Sequence, residues 1–167
     1  DAAARGKLLG FGYAVYTEPD GFMDNRVGMT FDSSGVVNVT LTGQTNGQGH
    51  ATVFSQIVAS QLGLPFDNIN VVQGDSDRIG PGSGTGGSRT TTVAGGAIVQ
   101  SSPGIIEKGK RIAAHMLEAS AGDIEFENGN FVIAGTDRSV DLVRQEEIDD
   151  PPQVRPQDCV PVHGDEA

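Results

Sequence analysis

The feature that most constrains this 167-residue chain is a helix pattern over residues 51–62, closed off at both ends. Val53, Phe54, Ile57, Val58 and Leu62 recur at helical spacing on one face, with Ser55, Gln56 and Ser60 mostly on the other. Gly63 suits the position just past a helix end, where a left-handed backbone is needed, and Pro65 blocks a restart. On the N-terminal side stands Gly47-Gln48-Gly49-His50, with two glycines where a turn needs one. Such a helix has to bury its apolar stripe against another element. Short alternating stretches on either side supply strands for that purpose.

Residues 8–18 (LLGFGYAVYTE) alternate Phe11, Tyr13 and Val15 with small residues and read as a strand. Residues 27–32 and 36–43 read as two more, joined at Ser33-Ser34-Gly35 into an antiparallel hairpin. Together the three predict a meander. Residues 69–73 form a short strand after the helix. A long Gly/Ser/Asp/Thr stretch over 74–92 follows, of the kind that in a compact domain serves a function or stays unstructured. Residues 91–118 read as a second helical region, broken at Pro103-Gly104 by a kink or by a new helix capped by Ser102. Its apolar face is Ile105, Ile106, Ile112, Ala113, Met116 and Leu117, and Gly122 ends it. A hairpin turns at Asn128-Gly129 between 123–126 and 130–134, and 139–147 reads as a short capped helix. The fold class is α+β: a mixed sheet with two main helices packed on it. Residues 1–148 form the domain, and the acidic, Pro-rich residues 149–167 an irregular tail.

A net charge of −11 speaks against nucleic acid or an anionic membrane as the main partner. No run of 18 apolar residues exists to span a bilayer. The single Cys159 can form no internal disulfide and cannot hold an iron–sulfur cluster alone, which agrees with a cytoplasmic setting. The start, without Met, reads as that of a piece of a longer chain.

Two glycine-rich turns run into helix starts: Gly47-Gln48-Gly49-His50, and Gly84-Thr85-Gly86-Gly87-Ser88-Arg89-Thr90. Unpaired N–H groups at a helix start, reached over a turn of low bulk, suit phosphate-like anions. Thr85, Ser88 and Thr90 add hydroxyls, and Arg89 a guanidinium able to grip a phosphate through two bonds. Gln48 carries an amide that both donates and accepts. Neither turn is a Walker or dinucleotide fingerprint. A flexible turn and a solvated loop remain the plain alternatives. Asp75 and Asp77 fit turn-formers, and the three His share no metal-ligand spacing. His115 fits a structural or exposed role.

The order GQTNGQGH, helix, LGLP, VVQGD, then GTGGSRTTTVAGGA resembles the molybdenum-binding large subunit of the xanthine dehydrogenase, aldehyde oxidase and carbon monoxide dehydrogenase family, over roughly residues 8–133. The resemblance implies one cofactor-binding subdomain of a molybdenum hydroxylase. It implies a molybdopterin cofactor with molybdenum, its cytosine dinucleotide form being one option. The residues carried over to the cofactor are Gln48, Gly49 and His50, with Thr85, Gly86, Gly87, Ser88, Arg89 and Thr90. The implied reaction oxidises an aldehyde, an N-heterocycle or carbon monoxide, with water as oxygen source. The implied partners are the rest of the large subunit, iron–sulfur and flavin subunits or domains, and a small-molecule substrate.

The family's glycine-rich segment with its catalytic Glu has no counterpart here, nor do its upstream glutamine loop and substrate-pocket loops. Glu146 and Glu147 sit in a solvated acidic run. No catalytic residue and no protein metal ligand is therefore assigned, and the isolated chain is expected to be inactive. The alternative is a stand-alone binding module that keeps the scaffold without the chemistry.

Overall fold

The computed structural model describes residues 3–17 and 25–143. After a short 3-10 turn at Ala3–Arg5, the elements are β1 (Val27–Phe31), β2 (Val37–Leu41), α1 (His50–Leu62), β3 (Ile69–Gln73), α2 (Gly95–Met116), β4 (Ile124–Glu127), β5 (Asn130–Ile133) and β6 (Ser139–Asp141). They make two three-stranded sheets, β1-β2-β3 and β4-β5-β6. The α+β class holds, with two principal helices.

In the first sheet β1 and β2 form the expected hairpin, Val27 opposite Leu41 and Phe31 opposite Val37. Its turn is built by Asp32, whose Oδ1 accepts from the backbone N–H of Ser34 at 3.0 Å and of Val36 at 3.1 Å. The third strand is not residues 8–18. It is β3, which lies parallel to β2 in register Val37 with Ile69 and Leu41 with Gln73. The chain thus runs β2–α1–β3, a parallel pair linked through a helix. The meander fails because β2 has β1 on one edge and β3 on the other. Residues 7–17 have no regular structure, and Leu8, Phe11, Tyr13, Val15 and Tyr16 are exposed. Alternation marks a segment fit to be a strand, but only a free edge and a covering layer make it one. Glu18 lies outside the described residues.

Helix α1 covers the first sheet with Phe54, Val58 and Leu62, all fully buried with Val37, Val39 and Leu41 of β2. Each such apolar side chain stabilises by about 1.5–3 kcal/mol. Ser55 is also buried, on the face the periodicity assigned to solvent. Gly63 ends the helix at φ 63°, as expected. A Cβ there would lie 2.5 Å from the backbone of Asn128 and Gly129, so the helix end is pressed against the β4–β5 turn.

Helix α2 is continuous. Pro103 sits inside it, and Ser102 starts no new helix. The Ser102 hydroxyl is buried and donates to the Ile98 carbonyl at 2.7 Å. Pro103 removes one backbone donor, but the helix is already paid for by packing on both sides of it: Ile98 and Ser102 before, Gly109 and Ala113 after. Met116, expected inside, is exposed, and Ile105, Ile106 and Ile112 are half-buried. The helix stops at Met116, short of Gly122, with Glu118 in a left-handed conformation at φ 51°.

The second sheet is a meander of β4, β5 and β6. Its first hairpin is the expected one at Asn128-Gly129. Residues 139–141, expected to begin a helix, are instead strand β6, with Val140 opposite Phe131. Phe131 is fully buried under α2, where Gly109 leaves it room: a Cβ at Gly109 would fall 2.2 Å from the ring. The rest of the expected helix, Glu146 and Glu147, and the 149–167 tail with Cys159 and His163 lie outside the described residues.

Candidate functional site

Gly49 is the residue that starts α1, at φ 73° and ψ 30°, and it has no side chain with which to cap the helix. The N–H groups of the first turn therefore keep their bonding capacity for a ligand or solvent. In the turn before it, Gln48 folds back on its own loop. Its Oε1 accepts from the Asn46 N–H and from the Thr45 hydroxyl, the latter at 3.3 Å. Both lone pairs of the amide oxygen are taken, so Gln48 presents its NH2 as a donor. The amide does not donate and accept outward at once, as the sequence alone allowed.

His50 follows as the first residue of the helix. It is 3% exposed, its ring lies 5.6 Å from that of Phe54, and its Nδ1 has no hydrogen-bond partner among the described residues. A buried, unpaired ring nitrogen costs about 1–3 kcal/mol. The plain alternative, a helix-start His bonded to a nearby carbonyl, is not what Nδ1 does.

The second turn leads into α2 through a π-helical turn at Thr90–Ala94, a rare geometry that recurs at functional sites. Gly84, Gly87 and Ser88 all take positive φ, Ser88 at 49° without being glycine. Such a conformation costs a non-glycine residue about 1–2 kcal/mol and clusters at binding and catalytic sites. Gly86 has ordinary φ, and a Cβ there would touch nothing within 4 Å. The chain itself gives no reason for a glycine at that position.

Arg89 does not project into solvent. It is 4% exposed, and its Nη2 donates to the carbonyls of Ser83 at 2.6 Å and Gly84 at 2.9 Å. Thr90 is buried too, and its hydroxyl donates to that of Thr85 at 3.2 Å. Thr85 in turn donates to the backbone carbonyl of Gln44. Gln44 opens the segment that becomes the first turn, so the two turns are neighbours, 41 residues apart in sequence.

Further contacts tie them, through residues to which the sequence gave no role. A Cβ at Gly82 would fall 2.3 Å from Cβ of Thr42, and one at Gly43 would fall 2.9 Å from Cγ2 of Thr90. The signal was present as glycines facing threonines, but only the folded arrangement pairs them. Asp75 is a turn-former as expected, its Oδ1 accepting from the Asp77 N–H at 3.0 Å. His115 is exposed. Among the described residues no group of three or more His, Cys, Asp or Glu is placed to hold a metal. A separate surface concavity of about 430 Å³, lined by Gly63, Asn68, Asn128 and Asp141 among others, contains none of the nine candidate residues.

The chain as a whole is similar to known proteins. The carbon monoxide dehydrogenase large chain of Hydrogenophaga pseudoflava is 39% identical over 144 residues, which cover 78% of this chain and 18% of that one. Subunit gamma of the 6-hydroxypseudooxynicotine dehydrogenase complex of Paenarthrobacter nicotinovorans is 36% identical over 140 residues, covering 83% and 18%. Among solved structures, Cu,Mo-CO dehydrogenase in its carbon monoxide reduced state superimposes with a TM-score of 0.68 at 34% identity, over 74% of this chain and 16% of that one. This chain thus spans under a fifth of the length of these relatives. The profile of the molybdopterin cofactor-binding domain matches residues 1–157, and the chain belongs to that family.

Proposed function

We propose that residues 1–148 form one lobe of the cofactor site of a molybdenum hydroxylase, and that residues 44–50 and 82–90 are the cofactor-holding surface of that lobe. The observation that carries this reading is the tie from Thr85 to Gln44, which sets the two donor-rich turns side by side. The residues fit the pterin and phosphate parts of the group. Gln48 offers a fixed donor, the uncapped first turn of α1 offers N–H groups, and His50 holds a buried nitrogen with bonding capacity to spare. Gly49 and Gly86 leave open space over their backbones.

When bound, the molybdenum cofactor supplies oxidation of a carbon centre with water as oxygen source. This chain's own residues bind and orient it. Gly49, Gly86, Gly87 and Ser88 bring backbone close to the ligand. Gln48 donates to an acceptor on it, and His50 lies at the start of α1 beside them. Arg89 and Thr90, both buried, and the half-buried Thr85 support the turn beneath that surface. The substrate class we infer is the one the sequence resemblance implies: an aldehyde, an N-heterocycle or carbon monoxide. The named relatives are a large chain and a complex subunit. The partners we infer are the remainder of a large subunit, with iron–sulfur and flavin subunits or domains. Among the described residues no helix is long and apolar enough to cross a membrane.

The test uses the full-length protein. Molybdenum by mass spectrometry and pterin by fluorescence after oxidation should both be present at near one per chain. Changing Gln48 and Gly49 together should empty the site while the circular dichroism stays that of the parent. A purified parent devoid of both molybdenum and pterin would sink this reading.

A further inference from the structure

We infer that Arg89 is a positioning residue for the second turn and does not itself grip the ligand; this rests on the cofactor-binding reading above. An arginine in a glycine-rich turn beside a phosphate-bearing ligand suggests a direct ionic clamp. The geometry assigns it elsewhere. Nη2 carries two hydrogens, and both are committed, one to the Ser83 carbonyl and one to the Gly84 carbonyl. The side chain is 4% exposed, beneath a turn whose Gly86 and Ser88 are exposed. The Arg89 backbone closes the same turn from its other end, its N–H donating to the Gly86 carbonyl at 3.4 Å.

A turn containing Gly84, Gly86 and Gly87 has many conformations to lose, and Ser88 at φ 49° is held in one that it disfavours alone. Arg89 selects one conformation by fastening two consecutive carbonyls at the start of the turn to the residue that ends it. The Thr90–Thr85–Gln44 chain of hydrogen bonds then fixes the turn against the first one. The backbone of Gly86, Gly87 and Ser88 is what remains to face a ligand. The planar, forked guanidinium suits two adjacent carbonyls, whereas a lysine ammonium offers a point charge without the fork.

The experiment compares wild type, Arg89→Lys and Arg89→Gln in the full-length protein, with hydrogen exchange of residues 82–90 measured on cofactor-free samples. Molybdenum and pterin content are measured on samples purified with cofactor. Both variants should speed exchange in this turn at least tenfold without cofactor present, leave α1 amides unchanged, and lower cofactor content at least tenfold with the melting temperature moved by a few degrees at most. Arg89→Lys keeps the charge, so it still reports if Arg89→Gln fails to fold. Wild-type exchange rates in cofactor-free Arg89→Lys together with lost cofactor would make Arg89 a direct ligand contact and overturn the inference. Faster exchange with full cofactor content would overturn it too. A wild-type protein empty of molybdenum and pterin would remove the cofactor reading and this inference with it, an outcome distinct from either variant result.

Discussion

The Thr85 hydroxyl donates to the Gln44 carbonyl across 41 residues of sequence, and this bond joins the turn before α2 to the segment before α1. Neither turn alone matches a phosphate-binding fingerprint. Joined, they bring Thr85 of the second turn to Gln44, four residues before Gln48. The Thr90 side of the link is buried and Thr85 half-buried, while Gln44 is exposed.

The state of the Gln48 amide leads to the first prediction. Its oxygen is occupied by Asn46 and Thr45, leaving the NH2 as the group offered outward. Gln48→Glu keeps an acceptor for the turn but removes that donor and adds negative charge beside the proposed anion. A hydrogen bond to a charged group contributes about 1.5–3 kcal/mol, and each ~1.4 kcal/mol is tenfold in affinity. Cofactor content in the full-length protein should fall about tenfold or more, read by pterin fluorescence, with thermal stability unchanged. Full retention would show that Gln48 does not donate to the ligand.

How much of this was legible in the sequence depends on whether the cause is local. The α1 face, the Gly63 stop, the Ser33-Ser34-Gly35 turn and the Asn128-Gly129 turn were readable because period and turn chemistry act over a few residues. The 8–18 stretch and strand β6 were misread because strand formation needs a partner edge that no local pattern names. β2 had both edges filled, whereas β5 had one to offer Val140. Of the two readings of Pro103, the new helix capped by Ser102 fails because packing of Ile98, Ser102 and Ala113 keeps one helix running through it. In the site, the glycines of both turns were legible as turns. The directions of the Arg89 and Gln48 side chains were not, since each is set by carbonyls and N–H groups whose positions exist only once the loop has folded.

His50 should separate binding from stability. Its ring packs near Phe54 with Nδ1 unpaired in a 3% exposed setting. His50→Phe removes the unsatisfied polar atom at similar volume. Unfolding should be unaffected or up to about 1 kcal/mol less favourable than for the parent, measured by urea titration of the cofactor-free protein, while cofactor content falls. Loss of more than about 2 kcal/mol, within the range of broken buried networks, would mean that the imidazole has a structural partner.

Two glycines of α2 should respond in opposite directions. Gly109 faces Phe131, where a Cβ would sit 2.2 Å from the ring, while a Cβ at Gly104 meets nothing within 4 Å. Gly109→Ala should destabilise by about 1–3 kcal/mol through overpacking. Gly104→Ala should stabilise by roughly 0.5–1 kcal/mol through helix propensity. Thermal melts of both variants check this, and equal effects would contradict the packing of Phe131 under α2.

Asp32 sets the pH dependence of the β1–β2 hairpin. The Ser34 hydroxyl first, then the Val36 N–H, hold its carboxyl below the ordinary value, and burial opposes them. A group whose pKa is lower folded than unfolded binds its proton less readily in the folded state. Its contribution is therefore complete above the unfolded carboxylate range and disappears as pH falls through the folded value. The parent should be more stable than Asp32→Ala near pH 7, and part of that difference should be lost on acidification below about pH 4, near the unperturbed Asp value. Unfolding midpoints for both proteins between neutral and acidic pH provide the measurement. A gap that stays constant through the acid range would show that the turn draws nothing from the ionised carboxylate, and that its bonds to Ser34 and Val36 serve geometry alone.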